Sequence, residues 1–200
     1  MAMAKLIPYP FELLTDRLTI RSPAIGDAPQ LREAIAESIE DLKHWMPWAD
    51  HVPTPAEAKR NCARAARNFR NGTDFRLHLF LKETGVFVGG SGFHRVVWSI
   101  PKFEIGYWIR QSCRDKGYVT EAVEEIARFA FDRLGVKRVE IRTSARNIKS
   151  WRVAERLGFT LEGVLRNDER HADGSLRDTK IYSKIAQERG TRTFKETTNR

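Results

Sequence analysis

The chain has 200 residues, and its 35 Lys and Arg against 26 Asp and Glu give a formal net charge of +9 at pH 7. A hydrophobic fraction of 41% and a charged fraction of 30% are ordinary for a globular protein with one sizeable core. No run approaches the roughly 20 apolar residues of a membrane span, and residues 1–10 lack the apolar stretch of a secretory signal. The positive charge favours an anionic ligand or partner.

The two cysteines, Cys62 and Cys113, are too few for a disulfide framework and have no metal-ligand spacing. The histidines also lack such spacing, so we expect no metal site. A reducing cytoplasm is the expected compartment for such a chain.

The first third of the chain predicts one strand and two helices. Residues 13–21 have the composition of a strand, and Asp27 is a candidate N-cap for a helix running to about Ile39. Residues 54–57 carry the threonine, proline and glutamate of a capping box, which predicts a second helix ending near Phe69. Between the helices, the aromatic segment 44–48 is either a plug on the core or a wall of a substrate pocket.

The middle of the chain predicts two strands, 75–81 and 86–93, and then the segment around which the rest is organised. Residues 103–109 place apolar side chains on one face at period two, which indicates a half-buried strand. From Val119 to Leu134, apolar residues recur at helical spacing, and a glycine follows as the stop signal.

A short basic loop, residues 114–120, joins this strand to this helix. The first-turn amides of a helix have no backbone partners, and the helix dipole adds positive potential at the same end. Gly117 lets a ligand approach the backbone closely, and Arg114 and Lys116 add charge. The loop therefore predicts an anion site, most plausibly for a phosphate, although a basic solvated turn would have the same sequence.

The last third predicts a strand at 136–143, a short helix after Asn147, and strands at 159–166 and 177–185. A basic excess over residues 137–152 would suit either a nucleic acid or a small polyphosphate ligand near the loop. We expect one domain over 1–186, of α/β or α+β class, followed by a polar tail at 187–200.

Several of these segments together resemble the GNAT N-acetyltransferases. The spacing of Arg114, Gly117 and Val119 is similar to the acetyl-CoA motif Q/R-x-x-G-x-G/A, with Val119 in place of the usual small residue. Six further segments resemble the RimJ/RimL branch of this family. They are Thr15–Arg21, Glu104–Ile109, Lys116–Ala122, the run from Asn147 to Phe159, Leu161–Gly163, and Asp178 with Tyr182. The match spans roughly residues 13–185.

The resemblance implies one domain whose central sheet is twisted, mixed and mostly antiparallel. The sheet would have about seven strands flanked by about four helices, and it would splay between strands 103–109 and 136–143. Acetyl-CoA would be the co-substrate, with its pantetheine arm between the splayed strands. The residues implied in binding it are Tyr107, Trp108, Ile109, Arg114, Asp115, Lys116, Gly117, Tyr118, Val119, Thr120, Asn147 and Ser150.

In this family an amine attacks the thioester directly. The resemblance implies that an amide near Trp108 or Ile109 stabilises the developing oxyanion and that Ser150 donates to the departing sulfur. Ser150 could instead cap the helix that follows it. Two carboxylates are candidate general bases, Glu169 and Glu104, and we favour Glu169; either could also be an ordinary solvated acid.

The acceptor implied is a protein N-terminal amine of the ribosomal-protein type. A polyamine, an aminoglycoside or an amino-acid-like small molecule is the alternative, although segments 44–51 and 94–102 hold few acids for a polycation. A third hypothesis is a non-catalytic module that binds acetyl-CoA and RNA. We expect no membrane association, and a monomer or a homodimer.

Overall fold

The computed structural model describes residues 7–171 and 173–188, which form one sheet and four helices. The helices are α1 (Ala28–Trp45), α2 (Pro55–Asn71), α3 (Tyr118–Leu134) and α4 (Ile148–Arg156). The strands are β1 (Glu12–Leu14), β2 (Leu18–Arg21), β3 (Phe75–Leu81), β4 (Phe87–Val97), β5 (Lys102–Ile109), β6 (Arg138–Ser144), β7 (Thr160–Arg170) and β8 (Leu176–Ile185).

The eight strands follow the order β1-β2-β3-β4-β5-β6-β8-β7, and every neighbouring pair is antiparallel except β5 with β6. The parallel pair is short, because only Lys102–Glu104 lies in register with Arg138–Glu140. Beyond these residues β5 and β6 separate. The mixed, mostly antiparallel and splayed sheet predicted by the resemblance is confirmed.

The sheet has one strand more than predicted, because residues 13–21 form two strands instead of one. The hydroxyl of Thr15 accepts a hydrogen bond from the Leu18 amide at 2.9 Å, and the Thr15 amide donates to the Leu18 carbonyl at 3.0 Å. These bonds close a turn, so that β1 folds back antiparallel on β2. A turn within a run of strand-forming residues has little signal in the sequence.

The apolar core lies on both sides of the sheet. Leu79 and Ile126 belong to the main cluster, to which α3 contributes its apolar stripe. Phe80, the next residue of β3, belongs to a second cluster with Ala34 of α1. Successive strand residues point to opposite faces, so α1 and α3 cover opposite sides of the sheet.

Helix α1 begins after Asp27, as predicted, but its end and the role of the Asp27 side chain differ from the prediction. It continues to Trp45, beyond the predicted end near Ile39, and takes in part of the aromatic segment. Asp27 precedes α1 but makes no capping bond with its side chain. Its carboxylate is instead buried in contact with Arg21 and His78.

The capping box of α2 is confirmed. The Thr54 hydroxyl accepts from the Glu57 amide at 3.3 Å, and the Glu57 carboxylate accepts from the Thr54 amide at 2.8 Å. Strand β3 has the predicted ends, and the remaining predicted strands are present with shifted ends, the largest change being a C-terminal end four residues later in β4 and in β7. Most of the predicted tail lies outside the described residues.

No helix of the described residues is both long enough and apolar enough to span a bilayer.

Candidate active site

The separation of β5 from β6 opens a cavity of about 570 Å³. Its walls come from α1, from the end of β5, from the loop before α3 and from α4. Every residue that the resemblance implied in acetyl-CoA binding lines it, except Lys116. The cavity is lined by Asp41, Leu42, Trp45, Met46, Tyr107, Trp108, Ile109, Cys113, Arg114, Asp115, Gly117, Tyr118, Val119, Thr120, Arg146, Asn147, Ile148, Lys149, Ser150, Arg152, Val153 and Arg156.

The loop before α3 turns its amides toward this cavity. Asp115 has φ 59° and Gly117 has φ 81°, so left-handed and right-handed backbone conformations alternate along the loop. Such alternation forms a concave row of N–H groups that suits an anion. Gly117 is the N-cap of α3 and has no side chain to bind the first-turn amides. Val119 packs against the main core and also lines the cavity.

Two side chains brace the loop from the opposite side. Arg17 donates to the Lys116 carbonyl at 2.9 Å and to the Glu121 carboxylate at 2.7 Å. Glu121 also accepts from the Thr15 hydroxyl at 2.6 Å. Partial burial raises the pKa of Glu121, but the bonds from Thr15 and Arg17 outweigh that effect and hold it below the usual value. The charge of Glu121 is therefore compensated within the protein, next to amides that suit a phosphate.

An acidic row on α1 holds the same loop from the cavity side. Asp41 pairs with Arg114, and Glu37 pairs with Arg110 at 2.5 Å. The second oxygen of Glu37 accepts from the Ser112 amide at 2.6 Å. One helix therefore both lines the cavity and fixes the geometry of the anion-binding loop.

Helix α4 brings Asn147 and Ser150 to the cavity. Asn147 is the N-cap, and its side-chain oxygen accepts from the Ser150 amide at 3.1 Å. Ser150 is therefore not the cap, and its hydroxyl lies 3.3 Å from that of Tyr107. The Tyr107 hydroxyl in turn donates to the Ser150 carbonyl at 2.8 Å. Burial raises the pKa of Tyr107 to about 12, so this phenol stays protonated at neutral pH.

The two candidate bases lie outside the cavity lining and are linked to each other. Arg95 contacts Glu104 at 3.5 Å and Glu169 at 3.4 Å, and Glu169 is also paired with Arg177. Burial raises the pKa of Glu104 above its usual range, although Arg95 opposes this effect. One buried oxygen of Glu104 has no hydrogen-bond partner. That oxygen is Oε2, the one that Arg95 contacts at 3.5 Å, so Glu104 has one long ion contact and no hydrogen bond at this atom.

The aromatic segment serves both roles considered for it. Trp45 and Met46 line the cavity, as a pocket wall would. Trp48 instead packs edge-on against Trp108, with ring centroids 5.8 Å apart. This tryptophan pair lies at the edge of the cavity, because Trp108 lines it and Trp48 does not.

A model of the GNAT acetyltransferase domain matches residues 17–160. The chain belongs to the GNAT acetyltransferase family. The YdaF protein of Bacillus subtilis (strain 168), provisionally named a ribosomal N-acetyltransferase, is 30% identical over 88% of this chain and 94% of its own. The alanine N-acetyltransferase of ribosomal protein uS5 from Escherichia coli (strain K12) is 29% identical over 83% of this chain and 86% of its own.

Among solved structures, the microcin C7 self-immunity acetyltransferase MccE, crystallised with acetyl-CoA and AMP, is 28% identical. It superimposes with a TM-score of 0.79 over 86% of this chain and 93% of its own. As a GNAT acetyltransferase, the present chain uses acetyl-CoA, and the chemistry of its cavity suits that co-substrate. The free amides of the loop suit a pyrophosphate, and the unpaired edge of β5 suits the pantetheine amides.

Three features of the site had no signal in the sequence. Asp41 and the brace between Arg17 and Glu121 depend on contacts between elements far apart in the chain. Arg95 lies at an irregularity of β4, with φ 44°, which aims its side chain at two carboxylates. The position of Glu121 in the first turn of α3 was visible, but its partners were not.

Proposed function

We propose that this acetyltransferase acetylates the N-terminal amine of a protein, with a ribosomal protein as the acceptor. The relatives named for ribosomal-protein acetylation support this reading. The observation that carries it is the charge state of the cavity. Both acids in its lining form ion pairs with basic side chains. Asp41 pairs with Arg114, and Asp115 pairs with Lys149 at 3.5 Å. No free carboxylate in that lining is left to hold a polycation, whereas a peptide needs to present only one amine.

The roles of the residues follow from their places around the cavity. The amides of residues 117–120 and the side chains of Arg146 and Arg152 would hold the phosphates of acetyl-CoA. The free edge of β5 near Trp108 would donate to the thioester oxygen as negative charge develops. Acetyl-CoA supplies an activated acetyl group, which a neutral amine attacks directly. Ser150 would donate its hydroxyl proton in a hydrogen bond to the leaving sulfur.

For the general base we propose Glu104, and this reverses the preference drawn from sequence. A base must be free to take a proton, and Glu169 is held by both Arg95 and Arg177. Glu104 has a raised pKa, and its Oε2 accepts no hydrogen bond and has only the 3.5 Å contact with Arg95, and both favour proton uptake. Because it lies outside the cavity lining, Glu104 would act on the substrate ammonium through water.

The test is calorimetric titration with acetyl-CoA, followed by detection of free thiol with a panel of amines. The panel contains N-terminal peptides of ribosomal proteins, spermidine and an aminoglycoside. Thiol release with peptides alone supports the proposal. Release with spermidine or the aminoglycoside alone rejects it, and the absence of acetyl-CoA binding would contradict the assignment of the cavity.

A small-molecule amine is a second candidate acceptor. The similarity to MccE, crystallised with AMP as well as acetyl-CoA, favours it, together with the indole rings of Trp45 and Trp108 in the cavity wall. Such rings stack on planar ligands. Adding an aminoacyl nucleotide analogue to the panel separates this candidate from a protein N-terminus.

A ribosomal-protein acceptor would also place the enzyme in the cytoplasm, where its two free cysteines stay reduced.

A further inference from the structure

A second cavity of about 540 Å³ lies between α2 and the segment that follows α1. It shares no lining residue with the first cavity. Ile35, Trp48 and Pro53 give it an apolar part, and arginines of α2 form much of the remainder. It is lined by Ile35, Trp48, His51, Pro53, Glu57, Arg60, Asn61, Ala63, Arg64 and Arg67.

The arginines of this cavity are not neutralised by the protein. Arg60 and Arg67 make no ion pair or side-chain hydrogen bond with any of the described residues, and Arg64 donates only to the neutral Asn61 at 2.9 Å. The single acid of the lining, Glu57, is bound by the amide and hydroxyl of Thr54 in the capping box. The cavity therefore presents net positive charge.

The three arginines share the exposed face of α2. Positions 60, 64 and 67 fall on one face of α2, opposite the buried stripe that contains Cys62 and Phe69. Like charges at this spacing repel each other and destabilise a helix. An anionic ligand would relieve that repulsion, and a cavity with an apolar part indicates a shaped ligand rather than bulk counterions.

The second cavity adjoins the reaction cavity through the tryptophan pair. Trp48 lines the second cavity and Trp108 the first, with their rings 5.8 Å apart. Ile35 of the second cavity also packs in one cluster with Leu42 and Met46 of the first. An acceptor polypeptide that leaves the first cavity past Trp48, which is 50% exposed, would approach the arginines.

We propose that the second cavity binds acidic side chains of the acceptor protein, a few residues after its N-terminal amine. This inference rests on the proposed function and names the acceptor class as N-termini followed by Asp or Glu. An extended chain advances about 3.3 Å per residue, so acids at positions three to six lie roughly 7–17 Å from the amine. Their carboxylates pair with guanidinium groups in a two-bond geometry. A peptide is favoured over RNA because one chain then fills both adjoining cavities.

The test compares two peptides with the same N-terminal residue, one with Glu at positions three to six and one with Gln. Turnover of each is measured for the wild type and for the Arg60→Gln, Arg67→Gln double variant. Lys59→Gln is the matched control, because it removes one positive charge from an exposed residue of α2 outside the cavity. Binding of the N-acetylated acidic peptide, followed by fluorescence anisotropy, gives a readout that needs no turnover.

The wild type should prefer the acidic peptide, and the double variant should lose about tenfold in kcat/KM for it, mostly through KM. Its turnover of the Gln peptide, and both reactions of Lys59→Gln, should stay near wild type. Equal turnover of the two peptides by the wild type would overturn the inference.

If neither peptide is acetylated, the proposed function fails, and the anisotropy measurement still decides the inference. Binding of the acidic peptide that is lost in the double variant supports the site. Binding that is unchanged in the double variant, or binding of an RNA oligonucleotide without any of the peptide, rejects it.

Discussion

Ser150 can be tested apart from its helix because the cap of α4 is a different residue. Ser150→Ala removes the hydroxyl next to Tyr107 but keeps the amide that Asn147 accepts from. We expect kcat to fall on the order of 10²-fold, with little change in acetyl-CoA affinity. Asn147→Ala, by contrast, should cost about 1 kcal/mol of stability. An equal loss of affinity and turnover in Ser150→Ala would assign Ser150 a structural role.

The choice of base can be read from pH dependence. Glu104 acts as a base only when ionised, so activity should rise with pH through its raised pKa. In Glu104→Gln that limb of the kcat/KM profile should disappear, with a loss of roughly 10²–10⁴-fold in rate. Glu169→Gln should retain the limb. A limb that persists in Glu104→Gln would return the role to Glu169 or to another group.

The same residue links catalysis to stability. A carboxyl group whose pKa is higher in the folded than in the unfolded state binds more protons when folded, so the free energy of unfolding falls as pH rises through that range. Replacing Glu104 by Gln removes this dependence. Glu104→Gln should therefore be more stable than the wild type at neutral pH while being less active, the usual trade at a functional site.

At the scale of elements, the glycines of β4 set how closely β5 can approach. A Cβ on Gly89 would lie 2.3 Å from the Trp108 carbonyl oxygen, and one on Gly90 would lie 2.6 Å from the Trp108 indole. Gly89→Ala should therefore displace the segment of β5 that we propose to face the thioester. We expect a loss of about 2 kcal/mol in stability and at least tenfold in kcat.

Gly163 of β7 is the matched control for Gly89. A Cβ there meets no atom within 4 Å, so Gly163→Ala should leave both stability and kcat near wild type. If the two variants behave alike, close approach of β4 and β5 is not what Gly89 provides. Thermal unfolding and thiol release measure the two effects separately.

The contact between α1 and the anion-binding loop gives an element-scale prediction about affinity. Asp41 occupies Arg114 and places a negative charge in the cavity lining. Asp41→Asn should therefore tighten acetyl-CoA binding by roughly three- to tenfold, and less at high salt. Glu33→Gln, which removes a partner of Arg110 outside the cavity lining, is the control. Weaker binding in Asp41→Asn would mean that Asp41 holds Arg114 in its binding position.

The sequence predicted well those elements whose signal lies in a few neighbouring residues. The capping box at 54–57, the period-two strand at 103–109 and the loop at 114–120 carry their signals within a few residues. The split of residues 13–21 and the partners of Asp27 and Asp41 were not predicted. Each depends on tertiary contacts, such as the bonds of Asp27 to β2 and β3, that single-sequence patterns do not contain.

At the scale of the molecule, a buried polar cluster ties α1 to two strands of the sheet. Asp27 binds Arg21 of β2 at 3.0 Å and His78 of β3 at 2.7 Å. Burial lowers the pKa of His78, so we take the ring as neutral, with Nδ1–H donating to Asp27 and Arg21 supplying the positive charge. Removing one partner of the buried Asp27–Arg21 pair leaves the charge of the other uncompensated.

Acid unfolding should report this cluster. Burial raises the pKa of Asp27, but hydrogen bonds from His78, Arg21 and the Ala24 amide outweigh it and lower the value to about 2. A depressed pKa gives stability that is complete above the unfolded value near 3.8 and is lost as pH falls toward 2, roughly 2 kcal/mol in all. Asp27→Asn should cost about 3 kcal/mol at pH 7 and lack that slope.

Chemical denaturation at several pH values measures both effects. The gap in unfolding free energy between the wild type and Asp27→Asn should be widest at neutral pH and should narrow between about pH 4 and pH 2, because only the wild type has this carboxylate to protonate. Asp16→Asn, at an exposed position of the turn between β1 and β2, should follow the wild type throughout. A gap that stays constant with pH would show that Asp27 stabilises the fold through packing and not through its charge, because a packing contribution does not titrate.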